Sequence, residues 1–257
     1  MQIIEYGNKT APSILYIPGL FMSGACFEVI ASELPKMHLV CVTLNGHDSS
    51  GEPYEGLNEE VHKLVSHLEA RQMTEYQLVV GMSLGTIFAV ELARQEELKI
   101  ERIFLDGAVN FYQSKSRKVE AVAMNLIFGR FMKTSKRPEK IIRNLSKSFV
   151  GNWPQEMQRC MANMTQKSKK MIIQTLTEYR LQAGLKQPIY CLYGNKENNL
   201  RQNVEVIKKL YPETEIEFVE GYGHLEYANR NPKEYAEKLI KTEQEGKNGE
   251  NRRTAIR

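Results

Sequence analysis

Gly81-Met82-Ser83-Leu84-Gly85 is the segment of this chain whose residue types and spacing can do chemistry. It lies where an apolar run, Leu78-Val79-Val80, passes directly into a helical pattern from Leu84 to Arg94. A G-x-S-x-G between a strand and a helix is a nucleophile elbow, a strained turn that lifts the serine hydroxyl above a sheet. The flanking glycines serve that turn, because side chains there would crowd the helix against the strand. A serine hydroxyl is unreactive at neutral pH, so Ser83 requires a base within hydrogen-bond reach. Acyl transfer also requires two N–H groups aimed at the oxygen that gains charge. Aspartate is scarce as a partner for such a base: the chain contains only Asp48 and Asp106.

The elements that must position this serine alternate along both ends of the chain. Ser13 to Ile17 reads as a buried strand, and Phe27, Ile30, Ala31 and Leu34 then fall on one helical face that stops at Pro35. His38 to Leu44 is the next strand. Val61, Leu64, Val65 and Leu68 form another helical stripe, with Asn58 as its expected cap. After the elbow strand and its helix, Ile100 to Leu105 reads as one strand. The alternation resumes with a strand from Pro188 to Tyr193, a helix around Val204 to Leu210 and a strand from Glu215 to Val219. Asn231-Pro232-Lys233-Glu234 then opens a last helix, with Asn as cap and Pro at the first helical position. Repeated strand–helix units predict an α/β fold, a mostly parallel central sheet with helices on both faces.

The middle of the chain departs from this rhythm. Residues 110–186 read as helical throughout and carry six of the 11 methionines and the only tryptophan, Trp153. They also hold 16 Lys+Arg against 4 Asp+Glu, inside a whole chain of net charge +4. We therefore expect an α/β core from 1–109 and 187–242, a helical cap inserted at 110–186, and a polar tail at 243–257. The basic excess has three readings: ordinary solvated surface, steering of anionic substrates, or contact with anionic lipid headgroups. Basic residues are not interleaved with stacking aromatics, so nucleic acid is not an expected partner.

Composition excludes other classes. No run of apolar residues is long enough for a transmembrane helix, and the N-terminal residues lack a signal-peptide layout. Cys26, Cys41, Cys160 and Cys191 form no C-x-x-C pair. They are expected to be buried, reduced thiols of a cytoplasmic protein rather than disulfides or metal ligands. His62 and His67 share one helix at a spacing of five, which does not suit a shared metal face.

Together these segments resemble the α/β-hydrolase superfamily, capped serine-hydrolase type, over nearly the whole chain before the tail. The resemblance rests on the elbow at Ser83, on Gly221-Tyr222-Gly223-His224, on Pro18-Gly19-Leu20-Phe21, and on Thr43-Leu44-Asn45-Gly46-His47-Asp48-Ser49-Ser50. It implies Ser83 as nucleophile and His224 as the base that takes and returns its proton. It implies the backbone N–H groups of Leu20 and Leu84 as the oxyanion hole, with Pro18 standing where the family usually has histidine. His47 and Asp48 belong to a turn whose role in the family is structural. The acid that orients His224 is expected after the post-cap strand, where Gly194-Asn195-Lys196-Glu197 puts Glu197 in place; Asp106 is the alternative. The implied activity is hydrolysis of a small carboxylic ester or thioester, anionic ones included, with no cofactor or metal. An acyltransferase, a lyase, or a catalytically silent binding protein on the same fold are the other readings. Oligomeric state is left open by the sequence.

Overall fold

In the computed structural model, which describes residues 1–109, 111, 117–135, 137–197 and 200–241, apolar runs form the strands of a central sheet. These are β1 (Gln2–Gly7), β2 (Ser13–Ile17), β3 (His38–Thr43), β5 (Leu78–Met82), β7 (Ile103–Asp106), β8 (Ile189–Gly194) and β9 (Glu215–Val219). Their order across the sheet is β1-β3-β2-β5-β7-β8-β9. Only β1 runs antiparallel, pairing Gln2 with Thr43; the remaining pairs are parallel. Every residue of β3 and β5 is buried, the pattern of strands covered on both faces. The mostly parallel sheet expected from the alternation is thus present.

Two local expectations need correction. The run from Ile100 to Leu105 is broken: β6 (Lys99–Ile100) pairs with β4 (Glu75–Tyr76) in a separate two-stranded sheet, and only Ile103 onward joins the main one. The break falls at Glu101-Arg102: Glu101 is exposed, whereas Arg102 is buried and its carbonyl accepts the Val79 N–H of β5 at 2.9 Å. The helix expected from Phe27 to Leu34 is a 3₁₀ turn, Gly24–Phe27, followed by the single-turn helix α1 (Glu28–Ala31).

Helix α2 (Leu57–Glu69) buries Val61, Leu64, Val65 and Leu68, as their spacing requires. Its cap is Gly56 at φ 122°, not Asn58, which lies inside the first turn. Helix α3 (Leu84–Leu92) follows the elbow and is buried on nearly every side. Among the described residues four helices lie between β7 and β8: α4 (Arg117–Ser135), α5 (Pro138–Leu145), α6 (Trp153–Asn163) and α7 (Gln166–Glu178). They are anchored on the loops that leave the C-terminal ends of β2 and β3. The Trp153 indole N–H donates to the Cys26 carbonyl at 2.6 Å, and the Tyr54 hydroxyl meets that of Thr175 at 3.0 Å. Helices α8 (Leu200–Leu210), α9 (Glu226–Arg230) and α10 (232–241) complete the described chain. The Asn231 carbonyl accepts the Tyr235 N–H at 2.9 Å, so α10 begins where its Asn-Pro signal put it. All four cysteines are buried free thiols. The polar tail expected at 243–257 lies outside the described residues.

Glycine is obligatory where α3 crosses β2. A Cβ on Gly85 would penetrate the carbonyl oxygens of Ile17 and Pro18, and one on Gly81 would strike the Gly85 carbonyl. Among the described residues nothing lies within 4 Å of where a Cβ on Gly129, in α4, would stand. Gly85→Ala should therefore destabilise by ~3 kcal/mol or more, or prevent folding. Gly129→Ala should stabilise by about 0.5–1 kcal/mol, because alanine restricts the unfolded chain more. Thermal melts of the two variants check the pair; a Gly85→Ala protein as stable as wild type would contradict the packing described.

Candidate active site

Ser83 occupies φ 49°, ψ −113°, a backbone region that a residue with a Cβ adopts only under strain. Three contacts hold it there. Its N–H donates to the Asp106 carbonyl at 2.9 Å, its own carbonyl accepts the Thr86 hydroxyl at 2.6 Å, and β5 is paired on both sides. The strained turn turns the side chain out of the strand toward the loops at the C-terminal edge.

His224 comes from the loop between β9 and α9. Gly223 N–H donates to the Glu226 carboxylate at 2.9 Å, and Leu225 follows at φ 61° with its side chain buried. This clamp projects the imidazole over the sheet, where Nε2 lies 2.9 Å from Ser83 Oγ. The other ring nitrogen, Nδ1, lies 2.6 Å from Glu197 Oε2. A carboxylate only accepts, so Nδ1 carries the proton and Nε2 is left to accept from the serine hydroxyl. Glu197 is fixed in turn by the Gly194 N–H, which donates to Oε1 at 2.7 Å. The carboxylate is 6% exposed and the imidazole 40%, so solvent and small molecules reach the ring while its partner stays sheltered.

Close backbone approach makes this arrangement fit. A Cβ on Gly107 would stand 2.7 Å from His224 Cε1 and 3.2 Å from Glu197 Oε2, and one on Gly194 would strike the Tyr222 carbonyl. Gly107 adopts φ 60°. Asp106-Gly107 at the end of a strand reads as a turn in the sequence; nothing in the sequence shows that this turn passes against His224.

The turn after β2 borders the serine on the other side: a Cβ on Gly19 would lie 3.1 Å from Ser83 Cβ. Leu20 belongs to this turn, and Leu84 opens α3 as its first residue. The first N–H groups of a helix have no partner inside it, so the Leu84 N–H is available beside Ser83. Among the described residues the Leu20 N–H has no hydrogen-bond acceptor either.

Asp106, the alternative acid, lies beside the cluster but below it. Its side chain is buried, and Oδ2 has no hydrogen-bond partner among the described residues. Burial pushes its carboxyl up to about 7; the Glu197 charge adds to this, while His224 and the Tyr235 hydroxyl pull the other way. Of the two candidate acids, the structure joins Glu197 to His224. His47 and Asp48 sit buried in the turn after β3, away from the serine; burial lowers the His47 imidazole to about 4. His38 is engaged with Ser13 and Glu5. Among the described residues no cluster of His, Cys, Asp or Glu is arranged to hold a metal ion.

No protein-family model matches the sequence, and no curated protein resembles it significantly. Solved structures do. A protein from Desulfitobacterium hafniense assigned to the alpha/beta hydrolase family superposes with a TM-score of 0.76 at 21% identity, covering 94% of this chain and 99% of that one. A protein from Acinetobacter baumannii assigned as a lipase gives a TM-score of 0.78 at 19% identity, covering 96% and 88%. An esterase from Exiguobacterium antarcticum gives 0.74 at 16% identity, covering 94% of each. At these identities the likeness is one of fold.

Asp106 makes stability depend on pH. Its folded carboxyl, at about 7, is raised above the ordinary value of 3.8. The stability it contributes is therefore complete below ~4 and is lost as pH rises to about 7, because the unfolded chain ionises first. Asp106→Asn removes this loss, so the melting temperature of the variant relative to wild type should rise between pH 4 and pH 8. A difference independent of pH would contradict the burial of this carboxyl.

Proposed function

We propose, on the premise of the α/β-hydrolase fold, that this protein is a serine hydrolase acting on a carboxylic ester or thioester. The observation that carries the proposal is the continuous hydrogen-bonded chain from Ser83 Oγ through His224 to Glu197 Oε2. The esterase and lipase names of the structural neighbours support the same reading.

In this mechanism Ser83 Oγ attacks the carbonyl carbon of the substrate while its proton passes to His224 Nε2. The carbonyl oxygen becomes an oxyanion and accepts from the Leu20 and Leu84 N–H groups. Glu197 stabilises the imidazolium and keeps the ring in the tautomer that can accept a proton at Nε2. The carbon–oxygen or carbon–sulfur bond then breaks, and the leaving alcohol or thiol takes the proton from Nε2. Water enters the open face of His224, gives a proton back to Nε2 and attacks the acyl carbon. Collapse of that intermediate returns the proton to Ser83 and releases the acid. Every proton moves between Nε2 and an oxygen or sulfur at the reaction centre, so no other acid–base group is needed.

The helices from α4 to α7 act as a cap over this site, and their basic surface favours approach of anionic substrates. Asp106 takes no proton from His224 in this scheme and serves as a buried structural residue below it.

Turnover of a soluble p-nitrophenyl ester separates the two acids. Glu197→Gln should lower kcat by roughly 10²–10⁴-fold, as loss of the orienting acid does in comparable triads. Asp106→Asn should leave kcat within about threefold of wild type, measured at a temperature where both fold. The reverse ranking would assign the acid to Asp106.

A further inference from the structure

Helix α4 meets the turn after β2 through two aromatic rings. The Phe21 and Phe128 centroids are 5.3 Å apart with planes inclined at 56°, and both side chains are buried, at 4% and 0% exposure. Phe21 belongs to the turn that borders Ser83, and Phe128 belongs to the first of the inserted helices.

The backbone of Phe21 explains why such a contact matters. Its φ is 63°, and the Met22 N–H donates to the Gly19 carbonyl at 3.2 Å. A turn closed in this way, with positive φ at the third residue and not at the second, is of type II. That third position normally belongs to glycine, because a Cβ is crowded there. A bulky aromatic residue in this conformation persists only when its surroundings hold it. If Phe21 relaxed to negative φ, the Leu20–Phe21 peptide would turn over. Ile17 is fixed in β2 and Met22 is buried, so the remaining rotation would be absorbed at Gly19 and Leu20. Gly19 is the residue whose absent Cβ would lie 3.1 Å from Ser83 Cβ and 3.3 Å from the Met82 carbonyl. Small rotations there move the Leu20 N–H relative to the reaction centre.

We propose that Phe128 is a positioning residue: its ring holds Phe21 in the strained turn and thereby aims the Leu20 N–H at the oxyanion. The oxyanion hole is then complete only when α4 is seated, which makes the inserted helices part of the acyl-transfer machinery and not merely a cover. This rests on the hydrolase reading above and deepens it.

The test is a double-mutant cycle. Steady-state kcat and KM for p-nitrophenyl acetate are measured for wild type, F128A, F128L, F21G and F21G/F128A, with a melting curve for each. F128A should lower kcat by roughly 10–100-fold with KM changed less than about twofold, the mark of an interaction made in the transition state. F128L, which keeps an apolar side chain of similar reach, should recover most of that loss. Glycine at position 21 adopts the positive φ unaided, so in the F21G background F128A should cost less than about threefold. An unchanged kcat in F128A, or an equal loss in both backgrounds, would overturn the proposal. Should F128A fail to fold, F128L with and without F21G makes the same comparison at smaller amplitude. Labelling of Ser83 by a fluorophosphonate separates the two levels of the argument. Wild type that does not label overturns the hydrolase reading and this one with it; wild type that labels while F128A keeps full kcat overturns this one alone.

Discussion

The packing of α3 onto β2, with Gly85 pressed against the carbonyls of Ile17 and Pro18, is the constraint from which the rest of the site follows. It fixes the angle at which the chain leaves β5, and that angle leaves Ser83 no backbone conformation but a strained one with positive φ. The same close approach brings the turn after β2 beside the serine, so Leu20 and Leu84 flank it from two directions. Strain at Ser83 persists because β5 is paired with β2 on one side and β7 on the other. A surface loop could not hold it. The hydroxyl therefore sits at the edge of the most buried part of the protein yet faces outward.

A second constraint is electrostatic. Two carboxyl groups, Glu197 and Asp106, lie near one imidazole, and their surroundings separate them. Glu197 receives a backbone N–H from Gly194 and stands within hydrogen-bond distance of His224 Nδ1. Asp106 is enclosed by the sheet, its Oδ2 without a hydrogen-bond partner among the described residues, and the negative charge on Glu197 further disfavours its ionisation. Because the two groups differ in this way, Asp106 resists ionisation, and Glu197 is the carboxylate that meets the histidine on the side that orients the ring. Gly107 matters here as well, since a side chain between Asp106 and the ring would displace His224 from both partners.

Much of this was legible in the sequence, for identifiable reasons. The elbow at Ser83 and the parallel strands were visible because close packing admits only glycine at 81 and 85 and because doubly covered strands are continuously apolar. Glu197 and His224 were placed by local motifs that each require glycine neighbours. Where reading failed, the cause was tertiary. The strand expected from Ile100 onward is interrupted because Lys99 and Ile100 pair with β4 in a separate sheet, and α2 starts from Gly56 without using Asn58 as a cap. Periodicity gave no hint that Phe128 meets Phe21, since a helix pattern shows which face is apolar but not what lies opposite. The positive φ at Phe21 was equally hidden, because it opposes the residue's own preference.

The central claim is that Ser83 is an activated nucleophile, and active-site labelling tests it most directly. Wild type, Ser83→Ala and His224→Ala are treated at neutral pH with a fluorophosphonate probe, and the modified peptide is identified. The account predicts a covalent adduct on Ser83 in wild type, no adduct in Ser83→Ala, and severely slowed labelling in His224→Ala. Folded wild-type protein that does not react, or that reacts equally well without His224, would contradict it.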